Sequence, residues 1–156
     1  MASEKVWKCS SEEQEKLAEH LISLEKAALD KWFKGDTGGY LDLWSKNSFT
    51  YFDGTISKRI DDHNGVDKHL EHMKGKLFAE KYDMVEPRVQ FSNGNDMGVL
   101  TYQLFSNTNL DNDMKYNCIE VFQKEKDGNW KVIHSTWSWI KPMEKDFEQL
   151  KKFINK

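Results

Sequence analysis

Five histidines, two cysteines and a scatter of carboxylates are the groups in this chain that could do chemistry. His69 and His72 are three residues apart, which puts two imidazoles on one helix face, and His63 lies just upstream. A zinc centre needs a third ligand and usually a fourth, each oriented by outer hydrogen bonds. Only Asp61, Asp62 and Glu71 cluster near these histidines, in a polar stretch that reads as solvated surface. Cys9 and Cys118 lack CxxC spacing and are expected as reduced thiols. No GxSxG elbow is present to support a Ser-His-Asp set. Gly38-Gly39 follows a helix end and lacks the strand–loop–helix context of a phosphate loop. Arg59 and Arg88 could meet an anionic ligand, with surface pairing as the ordinary alternative. No motif calls for a metal, flavin or nucleotide cofactor.

These groups must be positioned by the elements that the pattern predicts. Residues 10–34 read as a long helix: Ser10/Glu13 and Ser11/Gln14 fit capping boxes. Leu17, Leu21, Leu24, Ala28 and Trp32 then form one apolar stripe, and Gly35 ends it. A short helix is expected over 36–44. From Ser48 the period changes, and SFTYFD reads as a strand ending at the turn pair Asp53-Gly54. A weak strand over 57–60 and a helix over 64–77 follow, carrying Val66, Leu70, Met73 and Leu77. Four long strands are expected at 82–91, 97–105, 115–124 and 130–140. Hairpin tips are expected at 92–95 and 126–129. Pro142 opens a final helix with Met143, Phe147, Leu150 and Ile154 on one face.

Helices first and antiparallel hairpins afterwards indicate an α+β fold rather than a doubly wound sheet. The 156 residues suffice for one domain spanning 1–156 with a real core. An aromatic content of 13% argues against disorder, and a net charge of −3 provides no basic face for nucleic acid. No apolar run approaches a membrane span, and MASEKVWKCSSEEQEK has no apolar signal core, so a cytoplasmic location without membrane contact is expected.

The segments Leu24–Ala28 through Gly35-Asp36, Tyr40–Trp44 and Phe49–Asp53 resemble the start of a SnoaL-like domain. Met84–Gln90, Asn117–Phe122 and Trp130–Ser138 extend the resemblance, which covers residues 11–141. Such domains belong to the nuclear transport factor 2-like superfamily, with the ketosteroid isomerases and polyketide cyclases. The resemblance implies a cone: a curved, mostly antiparallel sheet with three N-terminal-half helices enclosing a pocket, to which the pattern adds the C-terminal helix over 142–156. It also implies a homodimer joined through open sheet faces.

Carried over from the ketosteroid isomerases, the proton-shuttling acid falls on Asp53 and the oxyanion-holding acid on Glu120, eight residues before Gly128. The cyclases instead make the acid on the Glu120 strand the base. Two such acids need different environments: one ionised to take a proton beside a carbonyl, one kept neutral by a dry pocket. The family's phenol donor falls at Ala28, which has no hydroxyl, leaving Tyr51, Tyr102 or Tyr116 as substitutes. Trp44, Tyr51, Tyr102, Trp137, Trp139, Arg88 and His134 are the expected ligand contacts. For His134, strand alternation points it away from Trp137, toward a partner subunit beside Asn117; a bulge would turn it inward. Ordinary alternatives stand beside both acids: Asp-Gly is a turn pair, and Glu120 could be a half-exposed strand acid paired with Arg88 or a lysine.

The expected function is that of a small-molecule pocket protein, isomerase- or cyclase-like, moving a proton on an apolar or carbonyl-containing ligand. The alternative is a non-catalytic dimeric binding or adaptor module.

Overall fold

In a computed structural model, residues 11–110 and 114–140 are described, together with Glu148, Lys151, Lys152 and Ile154. Helix α1, Glu12–Trp32, begins at Ser11, whose hydroxyl accepts from the Gln14 N–H at 3.1 Å. Glu12, Glu13 and Glu15 in the first turn and Lys31 in the last oppose the helix dipole. Its buried face is Ala18, Leu21, Glu25, Ala28 and Leu29, so the expected stripe is rotated slightly and contains a carboxylate. Gly35, at φ 78°, ends the helix. Helix α2, Gly38–Leu43, follows, buries Tyr40 and Leu43, and leads to the buried Trp44.

Strand β1 is Thr50–Asp53, and helix α3, His63–Leu70, is capped by Asp62, which accepts from the Gly65 N–H at 2.6 Å. The strand expected over 57–60 is reduced to one bridge between Tyr51 and Ile60. The third helix stops before Leu77, passing into a short 3₁₀ turn at Glu71–Met73; Gly75, at φ 73°, lies beyond it. Strands β2 (Tyr82–Phe91), β3 (Met97–Ser106), β4 (Met114–Lys124) and β5 (Trp130–Trp139) lie where the alternation predicts them.

The five strands are ordered β1-β5-β4-β3-β2, with β1 parallel to β5 and all other pairs antiparallel. Bulges interrupt β2 between Val85 and Arg88, where Glu86 takes φ 46°, and β5 at Ile133. Such bulges sharpen the local twist, and the sheet curls into the α+β cone. Leu21 and Leu29 of α1 and Val66 of α3 meet Leu100, Phe122 and Val132 of the sheet in the core. Among the described residues, no helix is long and apolar enough to cross a membrane. Cys118 is a buried free thiol. Cys9 and the Met143, Phe147 and Leu150 face of the last helix lie outside the described residues.

Candidate functional site

A cavity of about 210 Å³ opens between the sheet and the three helices. Trp32, Tyr40, Trp44, Trp137 and Trp139 supply aromatic walls, and Leu70, Met73, Leu77 and Leu104 supply aliphatic ones. Asp53, His69 and His72 are its charged or titrating wall groups apart from phenols; no Lys or Arg lines it among the described residues.

Asp53 reaches the cavity from the end of β1, beside Trp137 of β5. Alternation puts Tyr51 on the same face, and its phenol donates to Asp53 Oδ2 at 2.8 Å. His69 Nε2 of α3 meets that oxygen at 2.8 Å, while Thr55 donates its N–H and its hydroxyl to Oδ1 at 2.7 and 2.6 Å. Burial alone would raise this carboxyl, but the bonds from Thr55, His69 and Tyr51 together outweigh it and lower its pKa. Asp53 is therefore an oriented carboxylate at neutral pH. Burial and the Asp53 charge hold the Tyr51 phenol well above its ordinary range, so it stays a donor. The Asp-Gly pair also makes the expected turn, closed by the two Thr55 bonds to Asp53 Oδ1. The ring of His72 stands 5.6 Å from that of His69.

Glu120 is not on the cavity wall. It is fully buried on β4, where it accepts from Ser135 and Cys118 through Oε1 and from Trp44 Nε1 through Oε2 at 3.3 Å. Trp137 Nε1 donates to the same Ser135 hydroxyl at 2.9 Å. Two of the tryptophans that line the cavity, Trp44 and Trp137, are thus tied to Glu120 from the far side. Facing it is Glu25 of α1, also fully buried, whose Oε1 accepts from Tyr40 at 2.8 Å and Tyr102 at 2.5 Å. Burial, partly offset by those two phenols, pushes the Glu25 pKa up to about 7. Burial first, and then the Glu25 charge, raises Glu120 well above the carboxylate range.

Of the expected ligand contacts, Trp44, Tyr51, Trp137 and Trp139 line the cavity. Tyr102 does not, because its hydroxyl is committed to Glu25. Arg88 is exposed and adjoins Val89, which faces the core beside Leu100, so alternation sends Arg88 to the outer sheet face. His134 is on that outer face too. The bulge falls at Ile133, before His134 rather than between it and Trp137, so it does not turn the ring inward. Its ring nitrogens meet Thr50 at 2.7 Å and Thr136 at 2.6 Å, not the expected Asn117. Burial lowers its pKa. Ala28 is buried, and the Tyr40 and Tyr102 phenols converge one turn earlier on the helix, at Glu25.

Two participants were missed in the sequence. Glu25 is four residues after Leu21 and three before Ala28, an acid at core spacing. His69 is three after Val66 and four before Met73, on the apolar face rather than the solvated one, with its side chain 19% exposed. His63, by contrast, meets the Leu41 carbonyl at 2.6 Å.

No family model and no curated protein matches the sequence. Solved structures do. A candidate ketosteroid isomerase from Parabacteroides distasonis ATCC 8503 superposes with a TM-score of 0.69 at 30% identity, over 81% of this chain and 89% of its own. A nuclear transport factor 2-like protein of unknown function from Pseudomonas putida KT2440 reaches 0.70 at 14% identity, over 84% and 92%. A candidate dehydratase of that family from Streptomyces avermitilis reaches 0.64 at 14% identity, over 83% and 99%. With the same cone in all three and one relative sharing 30% of its residues, the chain belongs to the nuclear transport factor 2-like superfamily, as a SnoaL-like, ketosteroid isomerase-like domain.

Proposed function

We propose that this protein is an enzyme that moves a proton at a carbon next to the carbonyl of a small, neutral, largely apolar ligand. One observation carries the reading: an ionised Asp53, oriented by four bonds, faces a cavity walled mostly by aromatic and aliphatic side chains. Asp53 takes the proton, and the C–H electron pair moves into the enolate, whose charge rests on oxygen. His72, beside His69 on the wall, donates a hydrogen bond to that oxygen. Return of the proton to another carbon gives the isomer. His69 and Tyr51 position the base, and Glu120 supports the Trp44–Trp137 wall instead of touching ligand. An anionic ligand is disfavoured because no Lys or Arg among the described residues lines the cavity.

The non-catalytic reading also has an observation behind it: the Glu25–Tyr40–Tyr102 network occupies the interior of the cone. The test is NMR-detected deuterium exchange of α-protons in a panel of enolisable ketones. Exchange should be accelerated by the wild-type chain and should fall by about 10²-fold or more in Asp53→Asn, as loss of a general base does. Ketones that quench tryptophan emission, and so bind, but exchange no faster than in buffer would leave a binding module. The same reading has the chain as a homodimer joined through the outer sheet face, where Phe52 and Ile119 are 41% and 39% exposed.

A further inference from the structure

The two buried glutamates form a second titrating centre beside the cavity. One carboxylate oxygen of Glu25, one of Glu120 and the Cys118 sulfur all lie within 4.8 Å of one another. Both acids have zero exposure. Every group that faces them is neutral and protic or apolar: Tyr40 of α2, Trp44 after it, Tyr102 of β3, Cys118 of β4 and Ser135 of β5. Tyr51 of β1 and Tyr82 of β2 stand farther out and feel the same charges. No Lys, Arg or His among the described residues pairs with either carboxyl. Glu25 Oε2 is buried with no hydrogen-bond partner among the described residues.

Two carboxylates this close in a dry interior cannot both stay ionised without a compensating cation. An ionised Glu25 would leave this orphaned oxygen charged and unsatisfied in a dry site, so the neutral form is the less costly one.

We propose that Glu25 and Glu120 hold one proton between them in the folded protein, and that this proton latches α1 to β4 behind the cavity wall. When the proton is lost, like charges repel across the α1–β4 contact. The residues disturbed are those bonded to the pair, and three of them or their immediate partners, Tyr40, Trp44 and Trp137, are cavity wall. Rising pH therefore loosens the wall, independently of Asp53. The raised pKa of both acids agrees in direction.

Infrared difference spectroscopy on the full chain tests this, because a neutral carboxyl has its own C=O stretch. The expected result is a neutral carboxyl band near neutral pH that disappears on alkalinisation, with tryptophan emission changing over the same range as Trp44 loses its neutral partner. In Glu25→Gln or Glu120→Gln the remaining acid should titrate lower by about one unit, because its like-charged neighbour is gone. In the double variant the band should be absent. Single variants that leave the wild-type step unmoved would overturn the proposal. The wild-type chain alone also decides it: no neutral carboxyl band near neutral pH overturns it, as does elemental analysis finding one divalent ion per chain, since a cation would then replace the proton.

Discussion

Asp53 is a turn residue and, in the proposed reaction, the base. Thr55 closes the turn through Oδ1, which leaves Oδ2 to His69 and Tyr51 at the cavity. These bonds stabilise the charged form, so the folded-state pKa is depressed below the ordinary 3.8. The stability they contribute is present above that ordinary value and is lost as pH falls through the folded pKa. In a carboxyl-detected NMR titration, His69→Ala should move Asp53 upward toward 3.8, and the acid limb of the melting-temperature profile should move with it. An unmoved Asp53 would mean that His69 does not position the base. The sequence could not show this pairing, because residues 53 and 69 lie on different elements and only the fold closes that distance.

At the scale of elements, α1 and β5 decide what the cavity is. The apolar stripe of α1 was readable from 3.6-residue spacing, yet its rotation, which brings Glu25 into the core, depends on packing against α2, β2 and β3. On β5, alternation gave the opposed faces of His134 and Trp137, and the position of the Ile133 bulge preserved them. The end of β5 also meets the end of β1: a Cβ added to Gly54 would lie 1.9 Å from Trp139 Nε1. Gly54→Ala must therefore displace the indole, which lines the cavity and stacks near Tyr116 at 4.8 Å. Overpacking costs about 1–3 kcal/mol in a closed core, which is an upper bound here because Trp139 is 42% exposed. The expected outcome is a lower melting temperature together with altered ligand quenching of tryptophan emission. A variant matching wild type in both would show that Trp139 takes no fixed place at the mouth.

For the whole molecule, the proposed homodimer rests on the outer sheet face. Phe52 of β1 and Ile119 of β4 are exposed there with Thr136 of β5 between them. A β-sheet face with large apolar side chains is stabilised by burial against a copy of itself. Light scattering coupled to size exclusion should give about twice the 18.4 kDa chain mass, and Ile119→Asp should halve it without unfolding the protein. A wild-type mass of one chain would remove the dimer.

Strand positions, the helix starts and the α+β class were readable from the chain, because alternation, capping and turn chemistry are local and act within a few residues. The family resemblance also directed attention to Asp53 and Glu120. What partners those acids have was decided only by the tertiary structure. Asp53 was expected to work with Glu120 but meets His69, while Glu120 meets Glu25. Arg88 was expected inside and lies outside. A carboxyl's charge state depends on who its neighbours are and how dry the site is, and both are set by contacts between residues distant in sequence.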